Sequence, residues 1–198
     1  MKNTTMTPGK LKVTVEHDRD AESPMEGDGN WTFYSFNRRH TAFKHPDDLD
    51  SKDVKAKLRR GLAWFLSCYE HGGIQWWING EAGHPSCPFD TTNMAGILIW
   101  ENDPSDMGAK TIKDRRADAS RFLDTWNAWS NGECYYFSVT DESGEVIDSC
   151  GGFIGDPKTS GMIDAIKDAV GDANVIFAGD YANRVSDEWP IPAMLGTD

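Results

Sequence analysis

Gly61-Leu62-Ala63-Trp64-Phe65-Leu66-Ser67-Cys68-Tyr69-Glu70-His71-Gly72-Gly73-Ile74-Gln75-Trp76-Trp77-Ile78-Asn79 holds two strand-like runs on either side of a His-Gly-Gly turn. Apolar and aromatic runs bounded by a glycine turn predict a β-hairpin, with strands over 62–69 and 74–79. Successive strand residues face opposite sides, so Trp76 and Trp77 cannot both enter one face of a core. Either a second layer covers the other face of the sheet, or one tryptophan is exposed for a partner.

Other elements follow on both sides. Leu11, Val13 and Val15 alternate with polar residues and predict a strand over 10–15. Residues 16–30 read as an acidic loop, broken by Pro24, Gly27 and Gly29, and Trp31 to Phe36 as a second strand. Ser51 to Arg60 predicts a helix. Aspartates stand before it, basic residues lie towards its end, and Gly61 stops it. Met94 to Trp100 reads as an apolar strand. Ala119, Phe122, Leu123, Trp126 and Trp129 recur at helical spacing within 114–130. Cys134 to Thr140 and Glu145 to Ser149 predict a second hairpin around Asp141-Glu142-Ser143-Gly144. A helix over 159–170 and a short strand over 174–177 complete the pattern. Strands arriving in hairpins imply an α+β fold: a single domain, a largely antiparallel sheet of hairpins and about three helices. That domain is expected over 10–178, between a flexible tail at 1–9 and a polar tail at 179–198.

The chain has 198 residues and a formal net charge of -12. Such a charge repels nucleic acid and argues against direct binding to it. The protein is then either simply well solvated, or it engages a partner with a basic surface, in one version by imitating nucleic acid. The expected contact residues are Glu16, Asp18, Asp20, Glu22, Glu26 and Asp28 of the loop, with Asp141, Glu142 and Glu145. No apolar run is long enough to span a bilayer. Residues 1–10 show no apolar signal segment, so a cytoplasmic location is expected. The four cysteines, Cys68, Cys87, Cys134 and Cys150, form no Cys-x-x-Cys pair. No cofactor motif is present, and neither a cofactor nor a bound metal is expected.

Chemistry has three candidate seats. His84-x-x-Cys87-x-x-Asp90 with His71 holds metal-competent groups at a spacing that matches no standard zinc pattern; the alternative is a packed turn with Asp90 on local amides. Cys87 or Cys150 with His71 or His84 could form a nucleophile pair, in which a catalytic set would comprise His71, Cys87, Asp90 and Asp148. An Asp148 facing inward from a strand would need a partner. Arg38, Arg39 and His40 form a basic stretch that could bind an anionic ligand, or could pair with the acidic loop. Gly151-Gly152-Phe153-Ile154-Gly155 reads as a glycine-rich turn.

Three stretches occur in a recognisable order: Tyr69-Glu70-His71-Gly72-Gly73, Cys87-Pro88-Phe89-Asp90-Thr91, and Asp148-Ser149-Cys150-Gly151-Gly152-Phe153-Ile154-Gly155-Asp156. Together with Glu22-Ser23-Pro24, Asp28 and Arg38-Arg39 they resemble a family of small hypothetical proteins from bacteriophages and related mobile elements. The likeness spans roughly residues 16–170. Members of that family often carry Asp at the position of Glu70 and Trp at that of Phe89, so charge and bulk are kept here. The resemblance implies a phage-encoded protein acting in a bacterial cytoplasm, and it carries no established activity. The expected function is a phage-encoded acidic accessory protein that binds and modulates a host protein. The alternatives are a small hydrolase or nucleotide-handling enzyme using the His/Cys/Asp set, and a binder of a small signalling molecule whose pocket contains Arg38 or Arg39.

Overall fold

The computed structural model describes residues 10–26, 31–106, 108–187, 189 and 194–195. In chain order its elements are β1 (Lys10–His17), β2 (Trp31–Ser35), α1 (Ser51–Arg60), β3 (Ala63–Glu70), β4 (Ile74–Ile78), β5 (Thr91–Trp100), α2 (Ile112–Ser130), β6 (Cys134–Thr140), β7 (Val146–Ile154), α3 (Met162–Val170), β8 (Asn174–Ala178), α4 (Asn183–Ser186) and β9 (Met194–Leu195). The fold is α+β with two mostly antiparallel sheets. Within the span expected to form one domain, the chain packs as two compact units. One, the inserted unit, is Glu22–Asn131; the other, the split unit, is made from the residues on either side of it.

The inserted unit is built on a sheet of order β2-β5-β3-β4, antiparallel throughout. The predicted hairpin is there, with Ser67 opposite Trp77 and Glu70 opposite Ile74. Both faces of this sheet are covered, which resolves the paired tryptophans. Trp76 packs with Leu66, Leu98 and the α2 residues Leu123 and Trp126. Trp77, on the other face, is 6% exposed and stacks on His84 with ring centroids 4.8 Å apart. Ala63, Ile97 and Ile99 lie under Val54 and Leu58 of α1. Double coverage is why Ala95 to Trp100 reads as an unbroken apolar run instead of an alternating one.

Local chemistry sets the helix ends. The Asp50 side chain accepts from the Lys52 amide to start α1, and Gly61 closes it at φ +67°. Thr111 and Asp114 form a reciprocal capping box on α2. The far end of α2 does something the sequence did not announce. Asn127 and Asn131 stand one turn apart and turn their amides on the edge of β4. Asn127 accepts from Trp76 N–H at 2.8 Å and donates to Trp76 C=O at 2.9 Å. Asn131 does the same with Ile74, at 2.9 and 2.7 Å. The two side chains complete an edge that would otherwise offer unpaired backbone.

The split unit carries a sheet of order β7-β6-β1-β8-β9. β1 pairs antiparallel with β6 and parallel with β8. Val13, Val15, Phe137, Val139 and Phe177 of the sheet pack with Met162, Ile166 and Val170 of α3. Four expectations change here. β7 runs through Gly151 and Gly152 to Ile154, because pairing with Tyr135 and Cys134 outweighs the turn propensity of the two glycines. Asp148 is exposed on that strand and does not face inward. α3 starts at Met162, after a turn at 156–160, and not at residue 159. Residues expected in a polar C-terminal tail join the core: Val185 is fully buried and Trp189 meets Phe177 with centroids 5.0 Å apart. The expected N-terminal tail and Asp28 lie outside the described residues. No helix among the described residues is long and apolar enough to cross a membrane.

Candidate functional site

His71, Cys87 and Asp90 come together in the inserted unit. The Cys87 thiol donates to Asp90 Oδ2 at 3.1 Å, and His71 Nδ1 lies 3.4 Å from the same oxygen. Asp90 is therefore the hub. Backbone bonds lock the same turn: Thr91 N–H to Cys87 C=O at 3.0 Å, Cys87 N–H to Thr91 Oγ1 at 3.0 Å, and Glu70 N–H to Asp90 C=O at 2.9 Å. At its tip stands Phe89, 95% exposed. A nucleophilic thiol needs an imidazole beside it to take its proton. Here the thiol's acceptor is a carboxylate, so this arrangement braces a turn and presents Phe89. Asp148 belongs to the split unit, where its carboxylate accepts from the Ser149 amide.

His84 is engaged elsewhere. It stacks on Trp77 and its Nε2 lies 3.8 Å from Glu81. Glu81 is also held by Arg116 at 2.9 Å, and Arg116 lies over the Trp64 ring. Burial, then the nearby Glu81, pushes the Asp124 carboxyl up. Among the described residues, no three His, Cys, Asp or Glu side chains are arranged to hold a metal ion.

The basic stretch divides. Arg38 pairs loosely with Asp47 at 3.9 Å on the surface, and Arg39 is exposed. His40 turns inward. Its Nδ1 lies 2.7 Å from Ser35 Oγ and its Nε2 2.7 Å from Glu70 Oε1. Ser35, 2% exposed, also accepts from the Asn37 amide at 3.1 Å. A neutral imidazole would close the network with Ser35 O–H donating to Nδ1 and Nε2–H donating to Glu70. His40 and Glu70 border a pocket of about 330 Å³ beside Cys68, Thr92 and Met94. Neither arginine lines it, contrary to the pocket expected for a signalling ligand. Burial, reinforced by Glu70, pushes the Cys68 thiol up to about 12, so it stays protonated.

The acidic residues fall into separate groups. Glu16, Asp18 and Asp20 border an open groove of about 670 Å³ in the split unit. Asp180, Tyr136, Cys150 and Arg19 share it. Asp18 is tied down, accepting from Gly152 N–H at 2.8 Å and Asp20 N–H at 3.1 Å. Tyr136 donates its hydroxyl to Glu16, and that bond holds its phenol above the ordinary range. Asp141, Glu142 and Glu145 lie in the β6–β7 turn, at the Lys10 end of β1, whereas the groove lies at the His17 end. An eight-residue strand separates those ends by roughly 23 Å. Glu22 and Glu26 belong to the inserted unit. Within the split unit the acidic residues thus stand at opposite ends of β1. Asp141 serves its own turn: the Ser143 hydroxyl and the Glu145 amide hold its carboxyl below the usual range. Asp180 falls in a segment whose sequence predicts a polar tail, and only the packing of that segment beside β1 reveals it.

Compared with known proteins, the chain matches no family model, no curated protein and no solved structure.

Proposed function

We propose that this protein is an acidic accessory protein of phage origin that binds a basic segment of a host protein and modulates it. The groove bordered by Glu16, Asp18, Asp20 and Asp180 carries the reading: four carboxylates against one arginine, on a chain of net charge -12. Charges so arranged speed encounter with a cationic partner and reject anionic ones. Nucleic-acid imitation is the narrower version, in which the partner's surface is one that otherwise grips phosphates. The hydrolase reading has less support, because the Cys87 thiol donates to the same Asp90 oxygen that faces His71, and not to the imidazole itself.

The test is capture of partners from host lysate by the tagged protein at low and high salt. Expected is one dominant partner with a basic surface, lost as salt rises past the point where the Debye length falls below about 10 Å. A variant with Glu16→Gln, Asp20→Asn and Asp180→Asn, which spares the structural Asp18, loses that partner while keeping its fold. Retention by the variant, or capture indifferent to salt, overturns the proposal.

A further inference from the structure

The pocket beside Glu70 exists because β5 is irregular. Gly96 pairs with Leu66 and Thr92 with Cys68, so three β5 residues span what one residue, Ser67, spans on β3. The surplus bulges out. Met94, in that bulge, has φ +52°, a left-handed conformation unusual for a bulky side chain. Strain of this kind persists where the surroundings enforce it, and it gathers at ligand sites. Gly96 fixes one side: a Cβ there would stand 2.6 Å from the Tyr34 carbonyl. Beyond β2 the chain follows the bulge, with Phe36 N–H donating to Ala95 C=O at 2.9 Å.

The result is a pocket with two chemistries. Phe36 and Met94 are large apolar side chains left 42% and 48% exposed at its border. Glu70 supplies an acid that is still 46% exposed although His40 occupies its Oε1. A carboxylate accepts more than one donor, so Oε2 can take a second. His40 is nine-tenths buried and bonded at both ring nitrogens, which holds Glu70 in position. The field of Glu70 reaches into the pocket, since it helps keep the Cys68 thiol protonated. An anion is unwelcome in that field and an ammonium is favoured. The volume of about 330 Å³ suits a small molecule, at the lower end of ligand cavities.

We propose that the bulge pocket binds a small primary amine bearing one apolar ring, with the ammonium on Glu70 and the ring between Phe36 and Met94. The site belongs to the inserted unit and shares no residue with the acidic groove, so it neither requires nor supports the partner-binding reading.

The test uses the full chain and 2-phenylethylamine as probe, followed through backbone amide shifts. Saturable shifts are expected at Phe36, Asn37, Thr92, Met94 and Ala95. The neutral isostere 2-phenylethanol binds about tenfold more weakly, having lost a charge-assisted bond, and phenylacetate does not bind. Glu70→Gln removes the preference of amine over alcohol. Because Gln could disturb His40, Met94→Gly serves as a second variant. Glycine adopts the left-handed conformation freely, so this variant folds normally and loses affinity for amine and alcohol alike. The proposal is overturned if the wild-type protein shows no saturable shift with the amine. It is equally overturned if amine and alcohol bind alike, or if the shifts fall outside the bulge.

Discussion

At the scale of single residues, Asp90 has the most to lose. One oxygen of its carboxylate takes the Cys87 thiol and faces His71. Asp90→Ala frees both while leaving the backbone bonds of the turn in place. We expect a stability loss of about 1 kcal/mol by urea unfolding and faster maleimide labelling of Cys87, read by mass spectrometry. In the unchanged protein Cys150, which is exposed, labels first, while the buried Cys68 and Cys134 resist. Cys68 also gives a pH signature. Its thiol is raised from 9.0 to about 12 in the folded chain, chiefly by burial. A raised pKa means that the folded state keeps the proton longer than the unfolded one. Its contribution to stability is therefore complete below about pH 9 and fades between about 9 and about 12. Unfolding free energies measured across that window should fall more steeply for the wild type than for Cys68→Ala. Equal slopes would show that the thiol is not the cause. The meeting of Cys87 with Asp90 was legible because the two share one turn, whereas His71 reaches them through the pairing of β3 with β5. Ser35, His40 and Glu70 were not legible as a set, since Glu70 reaches His40 only through the pairing of β3 into the sheet.

Among the elements, α2 has two jobs. Its apolar stripe packs Ala119, Leu123 and Trp126 into the core, as its spacing foretold. Its last turns close the edge of β4 with Asn127 and Asn131, which no hydrophobic pattern encodes. Asn127→Ala strips two bonds from the Trp76 backbone. The expected loss is about 1–3 kcal/mol, with faster exchange of the Trp76 amide; normal protection of that amide would refute the bracing role. Gly96→Ala is the sharper case in β5. Its Cβ would meet the Tyr34 carbonyl at 2.6 Å, so β2 and β5 must part locally. A loss at least as large is expected, seen as a lower Tm. Both hairpins were readable because each is a local event between neighbouring runs. The full length of β7 was not: two glycines signalled a stop, and only the partner strand β6 shows why the pairing continues.

For the whole molecule, the decisive fact is the interruption between β1 and β6. The chain leaves the split unit and returns at adjoining strand ends, where Asp18 N–H donates to Cys134 C=O at 2.8 Å. The pairing of His17 with Tyr135 spans the entire insertion, a relation that no local pattern can announce. We expect Glu22–Asn131 produced alone to unfold cooperatively, since it owns its sheet and both of its apolar clusters. A short Gly-Ser bridge from Ala21 to Gly132 should preserve the remaining sheet, because the β1 and β6 ends adjoin and a shorter loop costs less entropy to close. Circular dichroism and amide dispersion of the two pieces check this, and a molten isolated insert would count against it. Synthesis on the ribosome meets the same interruption as a delay. β1 emerges before β6 and waits roughly ten seconds for it. Throughout that interval Leu11, Val13 and Val15 form an orphan strand, open to pairing with other nascent chains. Lys10, Lys12 and Glu16, interleaved with those apolar residues, are the charges that discourage such strangers until the proper neighbour arrives.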